Sequence, residues 1–137
     1  RLEAVTATLR VLAGETLLAE TSGGYRVLET AGAPTYYFPP ADVAVAELTA
    51  TGSQTLCEWK GVAQSFAWRQ VKPAAWCYVR TFAEFSTIRG WYAFYPGALS
   101  CYVGGEAVSP QPGGYYGGWV TAEQCGPIKG GPGSSHW

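Results

Sequence analysis

Residues 54–79 read QTLCEWKGVAQSFAWRQVKPAAWCYV, and their mainly period-two pattern decides the fold class. The runs 54–57, 62–69 and 75–79 carry the aromatic and β-branched side chains of strands. Val71-Lys72-Pro73 is expected to be the hairpin loop between the last two. Toward the N-terminus, residues 5–12 and 16–20 read as a hairpin around Ala13-Gly14-Glu15, and residues 25–30 as a short strand after Ser22-Gly23-Gly24. Residues 34–38 make an aromatic strand stopped by Pro39 and Pro40, because proline cannot donate to a ladder. Pro40 is expected to open a short helix through Leu48, where its missing N–H costs nothing. Toward the C-terminus, residues 82–86 read as a helical turn, and 91–95, 99–103 and 106–108 as further strands. Short strands roughly every 8–12 residues with Gly/Pro punctuation predict a mainly β chain, a compact antiparallel β domain with one or two short helical turns.

That domain is expected over residues 1–109. From Gly104 onward the composition shifts, and 10 of the 18 glycines fall in the last 34 residues. Yet Tyr115, Tyr116, Trp119, Ile128 and Trp137 are more apolar surface than a free linker needs. Residues 110–137 are therefore expected to be an extended Gly/Pro-rich C-terminal arm, packed on the same domain or on a neighbour. Packing on a neighbour would make the chain a homo-oligomer.

The composition excludes several classes. A chain of 137 residues suits one domain, and at that size about 68% of the unfolded surface is buried. Charged residues are 14% and aromatics 15%, the reverse of a disordered chain. A net charge of −1 without a Lys/Arg cluster argues against a nucleic-acid partner. No apolar run reaches the ~18–20 residues of a membrane span. The chain starts at Arg1 with no signal-peptide pattern in view, so a cytoplasmic location is expected. There is one histidine (His136), one aspartate (Asp42), and no methionine or asparagine. That leaves no His-rich metal site and no N-glycosylation acceptor. Cys57, Cys77, Cys101 and Cys125 form no CxxC pair, and buried free thiols are expected in so aromatic a chain. Neither a metal nor a cofactor is expected.

Aromatic residues dominate what remains. Tyr36, Tyr37 and Phe38 share one strand, Trp76 and Tyr78 share a face of another, and Trp91 shares a face with Ala93 and Tyr95. They could simply be a bulky core with cross-strand pairs. Their functional reading is an aromatic-walled pocket for a planar or cationic ligand, held by stacking or cation–π contact. Three charges sit among them: Glu29, Asp42 and Lys60. Asp42 is expected to stabilise the N-terminus of the short helix. A carboxylate–lysine pair at a pocket mouth could bind a polar substrate or move a proton. Cys57, three residues before Lys60, would be a thiolate only if the ammonium reached it, and three residues along a strand point to opposite faces.

The ordered motifs resemble a known family. They are Leu18-Ala19-Glu20-Thr21, Glu29, Pro34-x-Tyr36-Tyr37-Phe38-Pro39-x-x-Asp42-Val43, Cys57-x-x-Lys60-Gly61-x-Ala63, Ala75-Trp76-x-Tyr78, Ile88-x-Gly90-x-x-Ala93-Phe94-Tyr95 and Gly105-Glu106. The tail motifs Gly117-Gly118-Trp119-Val120-Thr121 and Gly126-Pro127-Ile128-Lys129-Gly130 are similar to one branch of it. The family is domain of unknown function four hundred and twenty-seven, and the resemblance spans nearly the whole chain. It implies a β-tent-like antiparallel fold and a shared pocket lined by Glu29, Tyr37, Asp42, Lys60, Trp76 and Tyr78. Without CxxC pairs, no tent zinc is implied. The nucleotidyltransferase-like label sometimes given to the family finds no support here, because a two-metal site needs several acidic ligands and Asp42 is the sole aspartate. The leading expectation is a small soluble domain binding a small molecule in an aromatic pocket. The alternatives are an enzyme with Glu29 or Asp42 as general base beside Lys60, and a structural or oligomeric interaction module.

Overall fold

The computed structural model describes residues 1–29, 32–112 and 117–122. The expectations placed on Tyr115, Tyr116, Cys125, Ile128, His136 and Trp137 lie outside the described residues. Strands β1 (Leu2–Ala4), β2 (Leu9–Ala13), β3 (Thr16–Thr21), β4 (Tyr25–Val27) and β5 (Thr35–Tyr37) come first. Two 3-10 turns, Pro40–Asp42 and Val45–Glu47, lead into β6 (Thr49–Cys57), β7 (Gly61–Trp68) and β8 (Val71–Thr81). A third 3-10 turn, Ala83–Ile88, precedes β9 (Tyr92–Phe94), β10 (Ser100–Val103), β11 (Glu106–Ala107), β12 (Ser109–Pro110) and β13 (Trp119–Val120). Every strand pair among the described residues is antiparallel, as expected from the sequence. Among the described residues no helix is long and apolar enough to cross a membrane.

The centre is the meander β6-β7-β8-β9. The sheet β1-β4-β5 joins it through reciprocal backbone hydrogen bonds between Phe38 and Tyr92, at 2.8 and 2.9 Å. Alternation along the joined surface then makes two cores. Tyr36, Phe38 and Phe94 point to one side, against Leu9, Val11 and Leu18 of the sheet β11-β10-β2-β3. Tyr37, Trp76, Tyr78 and Ala93 point to the other, where Phe85 and Ile88 of the third turn cover part of them. Cys77 and Cys101 are buried and free, and burial alone raises their thiols to about 11 and about 12. Both therefore stay protonated and inert at neutral pH.

Three local expectations give way to tertiary contacts. Of the strand expected over residues 5–12 only 9–12 is strand, within β2; Val5 donates to the Gly24 carbonyl, and residues 5–8 carry the chain from the sheet of β1 to that of β2. The helix placed from Pro40 to Leu48 is two separate 3-10 turns. Val43 between them is extended (φ −122°, ψ 138°) and bridges to Ala19, while Ala44 donates to the Leu18 carbonyl. Pairing with β3 thus outcompetes helix propagation, which at this length has few bonds to offer. The tripeptide Val71-Lys72-Pro73 opens β8 instead of forming a loop, since Trp68 pairs with Val71 and the turn is Arg69-Gln70. Arg69 takes the left-handed φ of 51° there and lays its guanidinium on the Trp68 ring at 4.6 Å. Pro73 falls at a register irregularity, where no ladder hydrogen bond is lost.

Trp119 closes the first core. It is fully buried, stacks on Tyr36 at 4.9 Å, and donates from Nε1 to the Phe94 carbonyl at 3.0 Å. Its backbone N–H reaches Pro34 at 2.8 Å. Replacing it by alanine is expected to cost about 3–5 kcal/mol in urea unfolding. Trp119→Phe should cost about 1–3 kcal/mol, chiefly for the buried Phe94 carbonyl left unpaired. Equal stability of all three proteins would contradict this role.

Candidate functional site

The second face of the central meander floors a cleft of about 680 Å³. Two cross-strand rows make the floor, Thr55–Ala63–Tyr78 and Ser65–Trp76–Ala93. Directly paired residues share a face, so hydroxyls from β6 and β7 stand beside aromatic rings from β8. Trp76, Tyr78 and Tyr95 line one side, and Thr51, Ser53, Thr55 and Ser65 the other. Gly117 brings backbone against the rings, where a Cβ would overlap the Trp76 indole, and Gly118 packs closely on Gln111 and Ala33. Buried Gln111 accepts from the Ala33 N–H at 3.0 Å and holds that wall in place.

Lys60 lies at one end of the cleft. It leaves the β6–β7 hairpin turn, its carbonyl accepts from Phe82 N–H at 3.0 Å, and only 7% of the residue is exposed. Gly61 makes this entry possible: at φ 140° it lies so close to β8 that a Cβ would overlap the Arg80 carbonyl oxygen. The ammonium donates to Glu29 Oε1 at 2.6 Å and stands 5.7 Å from the Tyr78 ring centroid and 5.1 Å from that of Trp59. Burial opposes its charge, but the Tyr37 phenol and the Glu29 carboxylate outweigh that and hold its pKa above the ordinary lysine value.

Tyr37 lies directly behind the cleft wall. It is fully buried, meets Trp76 edge-on at 6.1 Å, and accepts from Thr35 Oγ1 at 3.4 Å. Burial raises its pKa, against the pull of Lys60. Burial likewise raises Tyr78, helped by Tyr37 and Cys57. Cys57 is half-buried beside that phenol.

Of the six residues expected at one pocket, Glu29, Lys60, Trp76 and Tyr78 line the cleft, and Tyr37 backs it. Asp42 lies elsewhere. It accepts from the buried Thr21 hydroxyl at 2.7 Å and pins the first 3-10 turn to β3, near a separate surface hollow. Nor does Asp42 cap a helix, since it is the last residue of a three-residue turn. The hydroxyls at 51, 53 and 55 follow the period-two pattern, but reading the strand as starting at 54 hid them. Lys72 and Tyr95 also line the cleft. Only the fold could bring Gln111 and Gly117 to it, because their positions depend on long-range pairing.

The groups around Lys60 set an alkaline limit on stability. Lys60, Tyr37 and Tyr78 all have folded pKa values above their unfolded ones. Their contribution is complete below the unfolded values of about 10 and is lost as pH rises through the folded ones. The urea midpoint is expected to fall steeply above about pH 10, and less steeply in Tyr37→Phe. A midpoint that stays level into that range would contradict the assignment.

No curated protein matches the chain. Residues 1–105 match the model of a family described as a domain of unknown function, DUF427. That span holds Glu29, Lys60, Trp76 and Tyr78, and it stops short of Gln111, Gly117 and Trp119. With most of its length matched, the chain belongs to the DUF427 family.

Proposed function

We propose that the protein binds a small planar molecule in the cleft on the second face of the central meander. One observation carries this reading. A cleft of about 680 Å³ combines three aromatic side chains with a row of hydroxyls on a hydrogen-bonded sheet, and volumes of about 300–1,000 Å³ suit small-molecule ligands. The rings offer apolar contact and the hydroxyls fix orientation, with little of the floor left to order on binding.

A cationic ligand is less well served than a planar one. The Lys60 ammonium already stands over the Tyr78 ring and fills that cation–π position. For the enzymatic alternative, Asp42 is out of reach of Lys60 as a partner base. Lys60 stays an ammonium at neutral pH, able to place charge but not to accept a proton.

Titrating isotopically labelled protein with naphthol, a neutral planar probe, tests the reading. Amide shifts are expected to concentrate at residues 63–65, 76–78 and 95, and Trp76→Leu should weaken binding about fivefold, the equivalent of one lost ring contact of ~1 kcal/mol. Shifts absent, or scattered over the sheet β11-β10-β2-β3, would reject it.

A further inference from the structure

We infer that the ligand is a planar organic anion, an aromatic or conjugated carboxylate whose charged end meets Lys72. This rests on the binding role proposed for the cleft and names the ligand's charge and orientation.

The charges of the cleft carry the inference. Its described lining holds three ionised side chains: Glu29, Lys60 and Lys72. Glu29 and Lys60 neutralise each other at 2.6 Å. The Lys72 ammonium has no ion pair or hydrogen bond among the described residues. Lys72 precedes Tyr78 by six positions on β8, roughly 20 Å of strand. Among the described residues the cleft is therefore neutralised at its Lys60 end and positive at the other, where a ligand lying along it meets the Lys72 ammonium.

The neutral groups agree with this polarity. Thr51 is used internally, donating to the Ser65 carbonyl and accepting from the Ser53 N–H. The hydroxyls of Ser53, Thr55 and Ser65 have no hydrogen-bond partner among the described residues. Each is a free O–H donor, and donation to a carboxylate oxygen is stronger than to a neutral acceptor. An organic cation would lose on both counts, repelled by Lys72 and finding the Tyr78 ring face occupied. The apolar body of the anion would lie against Trp76 and Tyr95, which meet at 4.7 Å.

Isothermal titration calorimetry with three bicyclic probes of one shape separates the possibilities: naphthoate, naphthamide and naphthylmethylammonium. At low salt the intact protein should bind naphthoate about fivefold more tightly than naphthamide, the usual scale of one exposed ion pair, with the ammonium compound weakest. Lys72 is exposed, so Lys72→Gln should fold normally and bind naphthoate no better than naphthamide, while Lys72→Arg keeps the preference. Naphthamide binding as tightly as naphthoate would overturn the anion assignment, and a preference surviving in Lys72→Gln would overturn the contact with Lys72; either result leaves the planar-ligand reading standing. No binding by any of the three would overturn both.

Discussion

Everything in this fold turns on the two backbone hydrogen bonds that Phe38 and Tyr92 exchange. They splice the sheet β1-β4-β5 onto β9, and in doing so set the parity of every residue across the seam. Phe38 and Tyr92 share a face, so Tyr36 and Phe94 must follow them into the first core, and Tyr37 and Ala93 must turn to the second. A slip of one residue would exchange these sets and place the Tyr37 hydroxyl in the first core, away from Lys60. The core and the cleft are two sides of one registration.

The second face is built around a charge that would be costly alone. An ammonium taken out of water is tolerated only with a counter-charge or a good set of acceptors. Lys60 has Glu29 at 2.6 Å and ring faces at 5.1 and 5.7 Å. Because Glu29 remains partly exposed, with a side chain 38% accessible, water screens part of that attraction. The pair is therefore a weak source of stability, and it leaves that end of the cleft electrically neutral. Gly61 serves the same end from the backbone, letting the hairpin press against β8 so that Lys60 folds back beside Tyr78.

Part of the cleft was legible in the residues themselves. Trp76 and Tyr78 share a face by simple alternation, and a lysine beside a glycine in a strand-connecting turn stands out in a chain with so few charges. Asp42 stood out for the same reason, yet the fold gives its carboxylate to Thr21. Rarity marks a residue as needing a partner without saying which partner. The helix expected after Pro40 failed in a related way, because local preference favoured it while Val43 and Ala44 found better bonds on β3.

From the sequence alone follow the mainly β class, the antiparallel strands and shared faces such as that of Trp76 and Tyr78, because those depend on period-two alternation and turn residues close in the chain. The family resemblance is likewise carried by short local motifs. Only the tertiary structure decided that Glu29 meets Lys60, that Tyr37 backs the cleft while Asp42 does not, and that Trp119 seals the first core while Gly117 presses on Trp76. Those contacts join residues far apart in the chain, and which of them form depends on strand order and register. These are set by the packing of whole faces and by hydrogen bonds between distant backbones, and no local pattern encodes either.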